Sequence, residues 1–389
     1  MGKYNFDVIP ERRNTNCIKW DLFPSDRLPL WVADMDFEVC PKIIEAIQKR
    51  LEHPVFGYTM ESPEFKKVFC DRMMQRYNWK VYPEDIILIP GIVSGFNFAI
   101  RAFCGPENSV IYQTPAYPPF IEAPDNIHVE GIQNDLVYQD SEQMWKIDFE
   151  KFEAQIKENT SLFILCNPHN PVGRAFTAEE LSRLGEICLR HNVKICSDEI
   201  HCEILYKGAV HTPIASLNEE FAANTITFMA PSKTFNIPGL SCSVAIVQDS
   251  GMRERFKKAL SGLGSFVTVL SQEAGLAAYR DCAEWHAELL DYLEENRNFA
   301  QQYIRENMPG IRMNRIEATF LLWLDCSALP IEGSPAEFFA KNAHVQLNDG
   351  KSFGTAYAKF VRLNFGTNRR TLAAALENMK RALDQLPHG

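Results

Sequence analysis

One lysine stands apart from its surroundings. Lys233 sits in the stretch Met229-Ala-Pro-Ser-Lys-Thr-Phe-Asn-Ile-Pro-Gly-Leu-Ser-Cys-Ser243, with no acid within ten positions on either side. A lysine among small, hydroxyl and apolar residues is desolvated, so its pKa falls and the free amine becomes a nucleophile. That is what a Schiff-base lysine needs. A surface-loop lysine is the competing account, and other residues must decide between them.

Asp198, in Ile195-Cys-Ser-Asp-Glu-Ile-His201, follows an apolar run. A carboxylate at a strand end can pair with a protonated heterocyclic nitrogen, or it can cap a helix. Glu199 points the other way if strand alternation continues, and is expected to be structural. His201 can reach the same ring or serve as a satisfied core histidine. Asn170, in Asn167-Pro-His-Asn-Pro-Val-Gly173, has an amide that can donate to a phenolate oxygen; turn chemistry alone also suits Asn-Pro steps. In Gly91-Ile-Val-Ser-Gly95 the amides of Ile92 and Val93, with the Ser94 hydroxyl, can cradle a phosphate at a helix start. Tyr117, between Pro115 and Pro118, suits stacking on a flat ring or core packing. Arg362 is a charge inside the strand pattern Val361–Phe365, matched to a carboxylate or to an ordinary ion pair. An imine-forming lysine, a carboxylate for a ring nitrogen, a donor for a phenolate and a phosphate cradle together match the needs of pyridoxal phosphate.

These residues need a scaffold, and the hydrophobic pattern supplies one. Short apolar runs at Ile86–Ile89, Val110–Tyr112, Leu162–Cys166, Val193–Cys196, Thr225–Met229 and Val244–Val247 alternate with helical stretches. Such runs mean parallel strands buried on both faces. Ligands of these sheets lie beyond the carboxyl ends of the strands, where every motif above falls. Helices are predicted from Pro41, with Ile43, Ile44, Ile47 and Leu51 on one face, and from Pro63 to about Tyr77 behind a Ser62 cap. A helix is expected from about Ser94, and Thr177 with Glu180 forms a capping box for one ending near His191. A long helix over about 280–307 then leads to a smaller α+β region. There, strands are expected at Phe320–Leu324 and Phe360–Phe365, and helices from Ser334 and from about Arg370. The fold expected is α/β, a three-layer doubly wound and mostly parallel sheet. Residues 1–40 form an arm and part of the small domain, 41–285 the large domain and 286–389 the small carboxyl-terminal domain. The polar first thirty residues are expected to pack on something else, a second subunit being one candidate.

Composition narrows the functional class. The 389 residues carry a net charge of −10, with 46% hydrophobic and 23% charged residues. Interspersed acidity argues against nucleic acid or an anionic membrane as partner. No apolar run reaches about 20 residues, so no membrane span is expected. Eleven scattered cysteines without a Cys-x-x-Cys pair suit reduced thiols in the cytoplasm rather than disulfides or zinc. The amino terminus lacks the apolar stretch of a secretory signal.

Taken in order, the motifs resemble fold-type I pyridoxal-phosphate enzymes of the class I/II aminotransferase family, over nearly the whole chain. Within it they are most similar to the MalY/PatB cystathionine β-lyase branch. The marks are Trp31-Val-Ala-Asp-Met-Asp-Phe37, Phe56-Gly-Tyr58, Asn167-Pro-His-Asn-Pro171, Asp198-Glu-Ile-His201 and Lys233-Thr-Phe-Asn-Ile-Pro-Gly-Leu240. The resemblance implies Lys233 as the cofactor's imine partner and then as general base. It implies Asp198 on the pyridine nitrogen, Asn170 on the phenolate oxygen with His201 on the same side, and Tyr117 over the ring. Ile92, Val93 and Ser232 would hold the phosphate, joined by Tyr58 from a neighbouring subunit and hence in a homodimer. Arg362, with Ala33 and Asp34, would meet the substrate. His201 and Ser241 stand where aminotransferases commonly have tyrosine and a phosphate-binding arginine, and Ala230 replaces a frequent serine. The implied reaction is α,β-elimination of L-cystathionine or a related cysteine S-conjugate to a thiol, pyruvate and ammonia. Transamination by the same residues, and a regulator-binding role, are the rival readings.

Overall fold

The alternating pattern folds into an open twisted sheet, described here by a computed structural model over residues 2–264 and 266–386. Its strands are β1 (Ile86–Ile89), β2 (Ser109–Thr114), β3 (Glu130–Asp135), β4 (Thr160–Cys166), β5 (Lys194–Asp198), β6 (Thr225–Met229) and β7 (Ser243–Ile246). They lie in the order β1-β7-β6-β5-β4-β2-β3. Every residue of β1, β2, β6 and β7 is buried, as continuous apolar runs require. Helices cover both faces. Phe96 and Ile100 pack beside Phe228 and Ala245 on one side, and Leu181 and Leu184 beside Phe163 and Ile195 on the other.

One strand departs from expectation. β7 was expected to complete a parallel series, but it runs antiparallel to both β1 and β6. The segment between β6 and β7 crosses the edge of the sheet and holds only a four-residue helix, Pro231–Thr234, and a 3-10 turn. That is too little to carry the chain back to the far end, as a parallel return demands. β7 therefore begins at the edge where β6 ends, which brings Ser241, Cys242 and Ser243 to the same place as Lys233.

Helix boundaries mostly follow the caps. Pro41–Leu51 and Pro63–Tyr77 form as predicted, the latter with Ser62 Oγ accepting from the Phe65 amide. Of the four aligned apolar residues in the first, only Ile43 is buried, and Ile44 and Leu51 stay exposed. Ala178–Arg190 closes its Thr177/Glu180 box. The helix expected from Ser94 starts two residues earlier and runs Ile92–Phe103. It lies close on the sheet: a Cβ on Gly95 would sit 2.6 Å from Ile89 and 2.8 Å from Phe228. The long helix forms as Ala283–Asn307, and a separate helix that was not expected, Val269–Asp281 capped by Thr268, precedes it across Cys282.

A second sheet of β8 (Arg312–Met313), β9 (Leu321–Asp325), β10 (Asn348–Asp349) and β11 (Phe360–Asn364) is antiparallel, in the order β8-β9-β11-β10. Helices Pro335–Asn342 and Arg369–Asp384, capped by Ser334 and Asn368, pack with it. The amino-terminal arm packs on its own chain. Phe6 sits edge-on to Phe37 and Trp285, Lys3 pairs with Glu284, and Leu28–Pro29 forms a short parallel bridge with Val345–Gln346. Residues 30–36 then run beside the second sheet, tied by Asn364 N–H to Leu30 O and Asp36 N–H to Gly366 O. Among the described residues no helix is long and apolar enough to cross a membrane.

Candidate active site

At the carboxyl edge of the large sheet the motifs surround one cavity of about 330 Å³. β1 delivers Gly91, Ile92 and Val93, β2 Tyr117, β4 Asn170, and β5 Asp198 and His201. The β6–β7 segment delivers Ser232, Lys233, Ser241, Cys242 and Ser243, while β11 adds Arg362 and the 30–37 segment adds Trp31, Val32 and Ala33. Antiparallel β7 explains why three of its neighbours face a cavity otherwise built at carboxyl ends.

Lys233 is not a surface lysine. Burial, only partly offset by the charge of Asp34, pushes its pKa from 10.5 down to about 8. Its Nζ donates to the Ala33 carbonyl at 2.6 Å. That carbonyl is fixed from both sides. Asn236, at φ +56°, donates Nδ2 to Met35 O (3.0 Å) and Phe37 O (2.9 Å), and Asn364 Nδ2 donates to Val32 O (2.5 Å) and Asp34 O (2.8 Å). The Trp31–Phe37 motif is therefore a strap over the lysine.

Among the described residues the Asp198 carboxylate accepts only the Ile200 amide (3.0 Å), and burial raises its pKa from 3.8 to about 7. It is a carboxylate lacking a cation. An acid whose pKa rises on folding binds its proton more tightly in the native state, so its contribution to stability declines as pH climbs from about 4 to about 7 and is constant above. We therefore expect cofactor-free Asp198→Asn to gain on the wild type in urea unfolding between pH 5 and 8. The gain should be roughly 1–4 kcal/mol, at about 1.4 kcal/mol per pKa unit; parallel curves at the two pH values would refute this. Glu199 turns away as expected, accepting from Ser197 Oγ at 2.9 Å and meeting buried His211 at 2.8 Å.

Arg362 is fully buried, and among the described residues no acid pairs with it. Its Nη1 donates to Asn170 Oδ1 (3.0 Å) and its Nη2 to Asn348 Oδ1 (2.6 Å) and Trp31 O (3.1 Å), with Phe353 beneath the guanidinium at 4.9 Å. Nε has no partner. Burial lowers its pKa to about 10, which leaves a cation awaiting an anion, not the ordinary ion pair. Asn170, having given Oδ1 to Arg362, keeps its Nδ2 without a partner among the described residues. His201 is buried with Nδ1 unpartnered, and burial holds its pKa far below 6.5. The helix starting at Ile92 has no side-chain cap, so the amides of its first turn are unspent.

Three expected residues fall elsewhere. Ser94 does not line the cavity: the helix starts at Ile92, and two residues on, about 200° round the helix, Ser94 is outside the lining. Asp34 does not line it either; its Oδ2 is taken by Arg12 Nη2 at 2.6 Å. Tyr58 is fully exposed, at 103%, and lies outside its own chain's cavity. Sequence reasoning missed Asn348, Asn236, Asn364 and Arg12. Asn348 and Asn364 lie within short strands with no signal of their own, Asn236 was visible only as one member of the Lys233–Leu240 motif, and Arg12 hid in a polar run that resembles a solvated arm.

The set fits pyridoxal phosphate on its own chemistry: a low-pKa lysine, an uncompensated carboxylate, a free amide donor, a flat aromatic, and open amides with Ser232, Ser241 and Ser243. Residues 25–379 match the family model "Aminotransferase class I and II". Cystathionine β-lyase PatB of Bacillus subtilis is 40% identical, over 97% of this chain and all of its own length. Cystathionine β-lyase of Corynebacterium glutamicum is 32% identical, over 97% of this chain and all of its own. Cystalysin of Treponema denticola, solved with a pyridoxal 5′-phosphate cofactor, superposes with a TM-score of 0.95 at 34% identity, covering 99% of this chain and all of cystalysin.

Proposed function

The chain belongs to the aminotransferase class I and II family, and from that premise we propose that it is a pyridoxal-phosphate-dependent carbon–sulfur β-lyase. It takes L-cystathionine or a related cysteine S-conjugate to a thiol, pyruvate and ammonia. The observation that carries the reading is Arg362, a buried guanidinium with no acid partner among the described residues, facing the same cavity as a lysine whose pKa burial lowers to about 8.

Bound pyridoxal phosphate supplies an electron sink for charge left at the substrate α-carbon. The rest is the work of this chain. Arg362 grips the α-carboxylate with the fork that Asn170 and Asn348 hold flat, and so fixes the Cα–H direction. Lys233, as the free amine, would accept the substrate's α-proton at Nζ. The Cβ–S bond then breaks, the electron pair leaves on sulfur, and the freed enamine hydrolyses in water. Asp198 would stay ionised to pair with the cofactor's ring nitrogen, and Asn170 Nδ2 and His201 would serve its phenolate side. The Ile92 and Val93 amides with Ser232 would hold its phosphate, and Tyr117 would stack on the ring. Ala33 contributes its carbonyl to Lys233 and its backbone to the substrate wall. His201 and Ser241, where aminotransferases commonly have tyrosine and arginine, are departures that fit the lyase branch. Release of free thiol from L-cystathionine by purified, cofactor-loaded protein tests the reading, and no thiol release sinks it.

The working unit in this reading is a cytoplasmic homodimer. Exposed Met60 and Phe266 line a second cavity of about 840 Å³ that shares Pro90 with the first, and exposed Phe56 and Tyr58 precede its lining residue Thr59 in the chain. A second copy covering this face would bring its Tyr58 to the phosphate. Residues 41–285 hold the cofactor, and 286–389 with the arm close over it. We expect Tyr58→Phe and Lys233→Ala chains, each impaired alone, to recover activity when mixed as heterodimers, since one site then has both groups. Mixtures no better than their parents would contradict a shared site.

A further inference from the structure

The Tyr117 ring faces the cavity without a polar tether of its own. It meets Phe120 edge-on at 5.8 Å, and among the described residues its hydroxyl makes no hydrogen bond. Its place is therefore inherited from the backbone just before it. That backbone is tied to other segments at two points. Ala116 N–H donates to Phe353 O at 2.9 Å, and Pro115 O stands 2.8 Å from Nε2 of His169. A carbonyl only accepts, and burial pushes the imidazole pKa down to about 4. The neutral ring therefore carries its one hydrogen on Nε2, which donates, and leaves Nδ1 as a lone pair without a partner.

His169 is itself firmly held. It is 1% exposed, its N–H donates to Arg174 O and its carbonyl accepts from Gly173 N–H, both at 2.7 Å, and its ring meets Phe176 edge-on at 5.8 Å. The next residue is Asn170, whose Oδ1 accepts from Arg362, and Arg362 lies over Phe353. The contacts close a circuit: His169 to Pro115, Ala116 to Phe353, Phe353 to Arg362, and Arg362 to Asn170 beside His169.

We propose that His169 is a positioning residue, whose Nε2–H bond to Pro115 sets the spacing across the cavity between the Tyr117 ring and the Asn170–Arg362 pair. His169 does not line the cavity and acts only through these neighbours. Ring stacking and the grip on a carboxylate both depend on fractions of an ångström, and a donor on a locked side chain fixes such a spacing. Without that donor the buried Pro115 carbonyl is left unpaired, and its stretch of chain moves to find another partner. What Tyr117 and Asn170 do for a cofactor rests on the lyase reading; the spacing between them does not.

The test separates the hydrogen bond from the packing. 3-Fluorotyrosine is placed at position 117 alone in the full-length protein, and its fluorine resonance is read without cofactor or substrate. His169→Gln and His169→Met both lose the ring that packs on Phe176. The glutamine keeps a donor, its Nε2 standing as many bonds from Cβ as the imidazole Nε2, whereas the methionine ends in a methyl group. The proposal expects a shifted or broadened resonance in His169→Met and the wild-type resonance in His169→Gln. A merely structural role for the ring moves the two alike. Both moved, or His169→Met unmoved, overturns the proposal. Should His169→Met not fold, His169→Leu takes its place with the same two outcomes. Where the wild type turns over, kcat/KM should fall by up to about a hundredfold in His169→Met and largely recover in His169→Gln; equal rates in the two would overturn the positioning role. A wild type without turnover would sink the lyase reading and leave the fluorine result to decide this one.

Discussion

Replacing Lys233 with alanine should stop turnover while leaving the fold intact. General-base catalysis alone is worth roughly 10²–10⁴ in rate, and Lys233 has no understudy. Of the other titratable groups lining the cavity, Asp198 is committed to the ring nitrogen, and burial holds His201 well below its ordinary basicity. Burial also raises Tyr117, Cys166 and Cys242 so that they keep their protons, while Arg362 is a cation. The variant should also lose cofactor on dialysis, because its covalent tether is gone. Folding should not suffer, since a desolvated amine with one carbonyl partner contributes little net stability. The checks are kcat, cofactor retained after dialysis and the thermal midpoint. More than about a hundredth of wild-type turnover in Lys233→Ala, at saturating cofactor, would show that another group takes the α-proton.

Arg362→Lys should be nearly as damaging, although it keeps the charge. The guanidinium is held in plane by two asparagine oxygens and a backbone carbonyl, with Phe353 stacked against it. A lysine ammonium is a point charge that cannot satisfy that planar set and present a fork to a carboxylate at once. Losing one partner of a buried, hydrogen-bonded charge pair costs about 2–5 kcal/mol, or roughly 30- to 4,000-fold in kcat/KM. Most of the loss should appear in KM, because the carboxylate is gripped in ground state and transition state alike. Asn170→Ala should reproduce part of it, by freeing one side of the fork. A drop below about threefold in kcat/KM for Arg362→Lys would remove Arg362 from substrate binding.

The large sheet was legible because its strands are buried on both faces and appear as uninterrupted apolar runs, punctuated by Pro-Gly, Asn-Pro and Ser-Asp at their carboxyl ends. Since ligand sites of such sheets form at those ends, Lys233, Asp198, Asn170 and Tyr117 could be gathered on paper before their distances were known. Direction was not legible. β7 is as apolar as its neighbours, and only the shortness of the helix within the preceding segment decides that it runs antiparallel. β3 (Glu130–Asp135), half exposed at the sheet's edge, had no apolar run to announce it. The strap was visible as a motif but not as a structure. Its aspartates are ordinary in sequence, and their burial depends on Arg12 and Lys19 arriving from a polar arm that locally resembles solvated chain. Likewise nothing near Asn348 shows that it meets an arginine fourteen positions on; that contact belongs to the antiparallel pairing of β10 with β11.

The central claim is elimination rather than amino-group exchange, and product stoichiometry tests it most directly. Purified protein loaded with pyridoxal phosphate is given L-cystathionine with no 2-oxo acid present, and pyruvate and homocysteine are counted over many turnovers. Elimination predicts sustained release of the two in equal amounts, with the cofactor unchanged at the end. A reaction that stalls after one turnover with the cofactor converted to its pyridoxamine form, and restarts when a 2-oxo acid is added, would contradict the lyase reading and make the chain an aminotransferase.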